Sequence, residues 1–150
     1  MSKGYALGKY FVLWFCYIIL FVVSVMAVEL IEASKIPTSE LDGMHAMGFV
    51  FIFIVLAAGI ALYIVTFLPL SLLCNWLLRN HIIRVIIYVI VAIAGGLLLF
   101  VTQYGTYLLD GRGYGLNAWT PCIVFGIAAL IYGYVEHLLN NKIKAQKTIE

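Results

Sequence analysis

Charge is what this chain has least of. Only 11% of its 150 residues are Asp, Glu, Lys or Arg, while 65% are hydrophobic and the mean hydropathy is +1.08. A water-soluble domain of this size needs a polar shell, and these residues are too few to build one; bilayer lipid is the remaining solvent. The net charge of +2 is too small to point to a nucleic-acid partner.

Cysteine is scarce as well. Cys16, Cys74 and Cys122 form no CxxC pair, which argues against a disulfide or metal framework and leaves them as small buried residues. No HExxH, Ser-His-Asp order or paired-carboxylate motif occurs, so the sequence offers no catalytic group, cofactor site or metal site by motif. Gly111, Gly113 and Gly115 spell GxGxG, but no strand precedes them and the pattern reads as a turn after Asp110 rather than a phosphate cradle. Ser2 stands where myristoylation needs glycine, and no CaaX box is present.

Four long apolar runs fill the space left by these absences, at about residues 10–31, 46–68, 82–104 and 119–139. Twenty residues at ~1.5 Å each cross a hydrocarbon core of about 30 Å, so the runs predict an all-α, polytopic membrane protein: one domain over residues 1–150, four transmembrane helices in an antiparallel bundle. Lys3 and Lys9 precede the first run, Arg79 and Arg84 lie between the second and third, and Lys142, Lys144 and Lys147 follow the fourth. Only Lys35 and Arg112 lie on the other side, so the positive-inside rule places both termini in the cytoplasm. Lys3 and Lys9, an apolar stretch and Val25-Met26-Ala27 also have the layout of a secretory signal. The apolar run continues past Ala27 to Ile31, however, which favours a retained first span. The short basic loops suit a bacterial plasma membrane.

Small residues recur at helical spacing: Ala57 and Ala61 in the second run, Ala92 and Gly96 in the third, Gly126, Ala129 and Gly133 in the fourth. Such stripes let helix backbones approach closely inside lipid, either within one bundle or between copies. Pro69 is expected to end or kink the second run.

The middle third of every run lacks an ionisable Asp, Glu, His, Lys or Arg, which weighs against a proton-coupled transporter. Candidate polar sites therefore sit near the ends. Glu29, Glu32 and Asp42 with His45 form an acidic first outer segment whose spacing matches no tight ligand motif, so a solvated loop is the expectation. Arg112, among tyrosines, marks a second outer segment suited to contacts with a partner or headgroup. Glu136 and His137 are placed to meet Arg79, Asn80, His81 or Arg84 from the neighbouring antiparallel helix.

The implied partners are the bilayer itself and either another membrane protein or further copies of this chain. Three functions follow: a non-enzymatic accessory, regulatory or immunity-type interaction subunit; a small oligomeric channel or transporter using Ser24, Thr66, Thr102 or Gln103; and an integral membrane enzyme on lipid or peptide. For the last, Glu29, Glu32, His45, Glu136 and His137 are the only acid–base groups available. The scarcity of polar groups at depth favours the first.

Overall fold

Each apolar run is a helix, as lipid requires of a lone backbone segment whose polar groups must be satisfied internally. A computed structural model describes residues 2–36, 48–78, 80–109 and 114–149. Helix α1 is Ser2–Glu32, extended by a 3-10 turn at Ala33–Lys35. Helix α2 is Phe49–Leu62, followed by a π-helical turn at Tyr63–Phe67 and by α3, Leu68–Leu77. Helix α4 is His81–Leu109 and α5 is Trp119–Ile149. The stretches long and apolar enough to cross a membrane are Gly8–Lys35, Phe49–Cys74, His81–Tyr107 and Trp119–Lys142. No strand occurs among the described residues.

Local signals set the ends. Asn117 Oδ1 accepts the Trp119 N–H at 3.0 Å and opens α5; Asn80 Oδ1 accepts the Ile82 N–H at 3.1 Å and opens α4. Gly48 precedes α2 at φ 53, a left-handed value that favours glycine. Pro69 has no N–H, so the Val65 carbonyl loses its usual donor and the proline ring crowds it. The chain answers with the wide π turn just before it, where the Leu68 N–H bonds to the Tyr63 carbonyl. The second span is therefore helical without interruption through the proline.

The first acidic pair departs from the expectation. Helix α1 runs on through Glu29 and Glu32 instead of ending before them, and both side chains are buried. They are not a solvated loop.

The four spans pack antiparallel, with Lys9 near Glu136, Tyr10 near Tyr63 and Arg84 near Glu136. Both chain ends thus lie at one end of the bundle, called the terminal end below. Helix α5 is central, packed along α4 and α1, while α2 packs along the other side of α1. Helices α2 and α4 meet at most marginally, leaving a cleft between them.

The interior is mainly apolar with a few buried polar groups, and large apolar side chains cover the outside as well. Along α4 the buried positions step by four, through Arg84, Tyr88, Gly96, Phe100 and Tyr104, with Ala92 half-buried. The α5 face is Phe125, Gly126, Ala129, Tyr132, Gly133 and Glu136. Phe49, Phe53, Val65, Leu98 and Ile127 point outward, as lipid-facing residues should. Glycine supplies the close approaches: a Cβ on Gly96 would stand 2.5 Å from Phe125, one on Gly133 2.9 Å from Val85, and one on Gly59 2.8 Å from Phe21. In α2 the contact thus falls on Gly59, whereas Ala57 and Ala61 are exposed on the opposite side.

Candidate functional site

Polar side chains gather in two buried clusters, one at each end of the bundle, with an aromatic layer and a cavity between them. At the terminal end the Glu136 carboxylate is fully buried. Lys9 Nζ lies 3.6 Å and Arg84 Nη1 3.7 Å from Glu136 Oε1, so one carboxylate from α5 is shared by cations from α1 and α4. Both pairs are longer than a hydrogen bond, and neither carboxylate oxygen has a hydrogen-bond partner among the described residues. Tyr88 faces Glu136 and Ser71 without reaching hydrogen-bond geometry, and the Tyr132 hydroxyl is likewise buried and unpartnered among the described residues.

His137 and His81 close this end. Their rings stack with centroids 4.1 Å apart, and Asn141 Nδ2 donates to His137 Nε2 at 3.0 Å. Of the neighbours expected for Glu136 and His137, the structure brings in Arg84 and His81; Arg79 lies outside the described residues. No sequence motif marks Ser71, Tyr88 or Tyr132, and Lys9 stands out in the sequence only as an orienting charge. The signal for Tyr88 was present: Arg84, Tyr88, Ala92, Gly96, Phe100 and Tyr104 recur every four residues, a face on which the polar and aromatic members of the third span collect.

At the opposite end, Glu29 Oε2 accepts from Gln103 Nε2 at 2.8 Å and from the Tyr104 hydroxyl. Glu32 Oε2 accepts from Lys35 Nζ at 2.8 Å and from the Asn117 N–H at 3.0 Å, while Oε1 accepts from the Thr120 hydroxyl. Glu32 therefore places negative charge at the first turn of α5, where the helix dipole favours it. Lys35 Nζ also donates to the Gly115 carbonyl at 3.2 Å, tying the end of α1 to the approach to α5. These carboxylates are occupied by protein donors, and no group of three or more His, Cys, Asp or Glu suited to a metal exists among the described residues. Asp42, His45 and Arg112 lie outside the described residues.

Between the clusters, Tyr17, Tyr63, Phe67, Tyr88 and Tyr132 interlock across the bundle. Tyr17 sits 4.6 Å from Phe67 and 5.2 Å from Tyr63 by ring centroid, and Tyr132 is 5.5 Å from both Phe67 and Tyr88. Beside this layer lies a cavity of ≈ 210 Å³, reached by residues of all four spans and walled mainly by carbon. Three of the four groups considered for a pore are engaged in contacts of their own. Thr66 bonds its own helix at the Leu62 carbonyl, Thr102 does so at Leu99, Gln103 serves Glu29, and Ser24 alone is turned to the cavity without such a contact shown.

Compared with protein-family models, curated proteins and solved structures, the chain matches none.

Proposed function

We propose that the chain is a non-enzymatic interaction protein of the bacterial plasma membrane, an accessory, regulatory or immunity-type subunit with both termini in the cytoplasm. The carrying observation is how the small residues divide. Gly59, Gly96 and Gly133 are consumed in close contacts inside the bundle, and Ala129 is buried there. Ala57 and Ala61, one helical turn apart on the edge span α2, are exposed toward lipid. A pair of small side chains on the outer face of an edge helix lets a foreign helix approach closely, and such packing supplies much of the association energy inside a membrane.

The chemistry of the buried carboxylates supports the same reading. Glu29 accepts from Gln103 and Tyr104, Glu32 from Lys35, Asn117 and Thr120, and Glu136, though without a hydrogen bond among the described residues, is fully buried between Lys9 and Arg84. Groups so engaged lock helices together; a general base needs a lone pair facing a substrate.

The test is native mass spectrometry of the protein purified in mild detergent from its own host. A stoichiometric second membrane protein is expected, lost in the Ala57→Leu, Ala61→Leu double variant while the thermal midpoint is kept. A chain that is monomeric and alone overturns the proposal. A closed homo-oligomer that conducts ions in liposomes replaces it with the channel reading.

A further inference from the structure

We propose that the cleft between α2 and α4 is a binding site for one acyl chain of an anionic phospholipid, its methyl end lodged at mid-bilayer against Gly95 and Gly96. This does not rest on the interaction role of α2, because the two features occupy different sides of the second span: Leu62 of α2 with Thr66 and Phe67 of the π turn wall the cleft, while Ala57 and Ala61 face away from the bundle.

The size of the space selects the occupant. The cavity is ≈ 210 Å³. An apolar cavity of about 150 Å³ in another protein stays dry and takes up benzene, so this one is large enough for hydrocarbon. It is far too narrow for a partner helix, which with side chains is about 10–12 Å across.

The lining selects against water. A buried water needs 2–4 polar partners. Ser24, Thr66, Tyr17 and Tyr132 are the hydroxyl-bearing residues on a wall that is otherwise carbon, and the Thr66 hydroxyl already donates to the Leu62 carbonyl. The rest of the wall is Leu20, Phe21, Val91, Leu99, Phe125 and similar carbon, and the cavity sits midway along all four spans. At that depth the liquid outside is acyl chain.

The entrance is built from the same residues. Helices α2 and α4 hardly touch, and a Cβ on Gly95 would meet nothing within 4 Å. Gly96 beside it is instead pressed against Phe125. One glycine is needed for helix packing; the other leaves open space on the cleft side.

Charge selects the headgroup and its leaflet. Among described residues the terminal end carries Lys9, Arg84 and Lys142 against Glu136, whereas the opposite end carries Glu29 and Glu32 against Lys35. Lys9 and Arg84 are buried against Glu136 and Lys142 is exposed, so a lipid entering from the leaflet at the terminal end approaches an end of net positive charge, which anionic headgroups prefer.

The experiment measures lipid retention. Delipidated protein is exchanged into vesicles of phosphatidylglycerol or of phosphatidylcholine, extracted in mild detergent and examined by native mass spectrometry. Wild type should retain one phosphatidylglycerol per chain. Gly95→Phe, whose ring fills the open space, should lower that retention by about tenfold, while Gly95→Ala keeps it. Circular dichroism and the thermal midpoint check that Gly95→Phe is folded. If it is not, phosphatidylglycerol with a diazirine at the chain end decides with wild type: carbene adducts should concentrate on Leu99, Thr66 and Ala129, which line the cavity, rather than on the outward Ile127 and Ile90. Equal retention of both lipids, equal retention by Gly95→Phe and wild type, or adducts confined to outward residues overturns the proposal.

Discussion

Glu136 is the residue on which three spans converge, since α5 supplies it and Lys9 of α1 and Arg84 of α4 flank it. Removing one member of a buried ion cluster costs more than the cluster contributes, because the charges left behind lose their counter-charge in a medium that solvates them poorly. Glu136→Ala leaves two buried cations facing each other and should lower stability by about 3–5 kcal/mol. Lys9→Ala leaves the Arg84–Glu136 pair intact and should cost clearly less. Thermal unfolding of both variants in one detergent checks the order; equal losses would show that the cluster does not organise the bundle. The sequence made the carboxylates conspicuous, because so few exist near the ends of apolar runs. It did not reveal their partners. Lys9 and Glu136 stand at opposite ends of the chain, and Glu32 finds Thr120 only once α1 and α5 are laid side by side. Hydropathy also misplaced Glu29 and Glu32 in a loop, since a carboxylate satisfied by Gln103 and Tyr104 has the same hydropathy as a solvated one.

Single helices carry a second set of consequences. The third and fourth spans are held at the distance their glycines permit, so Gly96→Leu and Gly133→Leu should each destabilise the protein by about 1–3 kcal/mol or more through forced repacking of Phe125 and Val85. Gly126→Ala, whose Cβ would stand an ordinary 3.7 Å from Ile93, should be nearly neutral in the same melting experiment. Helix spacing showed that these stripes exist but not which way each faces. In α2 the pair at Ala57 and Ala61 is the more regular pattern, yet Gly59 makes the contact, because α1 offers Phe21 at that level. Pro69 was legible as a break; the π turn was not, since it depends on the helix continuing on both sides. Pro69→Ala restores the missing donor and should let the turn relax to α geometry, rotating α3 by roughly 100° about its axis. Cys74, buried at 4% exposure, should then react faster with a maleimide in a Cys16→Ser, Cys122→Ser background. An unchanged labelling rate would mean that the π turn is held by the packing of Tyr63 and Phe67 rather than by the proline.

At the scale of the whole molecule, the rings of Tyr17, Phe67, Tyr132 and Tyr88 fill the bundle between its two charged ends, and the neighbouring cavity is walled by carbon. The cavity wall offers few polar groups at that depth. Orientation then depends on which charges act during insertion. Seven of the nine Lys and Arg residues belong to the terminal end. Of the other two, Lys35 is neutralised by Glu32 at 2.8 Å, which further weakens any pull on that end toward the cytoplasm. The positive-inside rule therefore predicts cytoplasmic termini with a wide margin. A reporter active only in the cytoplasm should work when fused after residue 150, and one active only after export should work when inserted within residues 37–47. The margin itself is testable. Neutralising Lys142, Lys144 and Lys147 together should leave the topology unchanged, because Lys3, Lys9, Arg79 and Arg84 still outnumber the opposite end. Inverted reporters in that triple variant would show instead that the last span dictates orientation and that the charges around the first three merely follow.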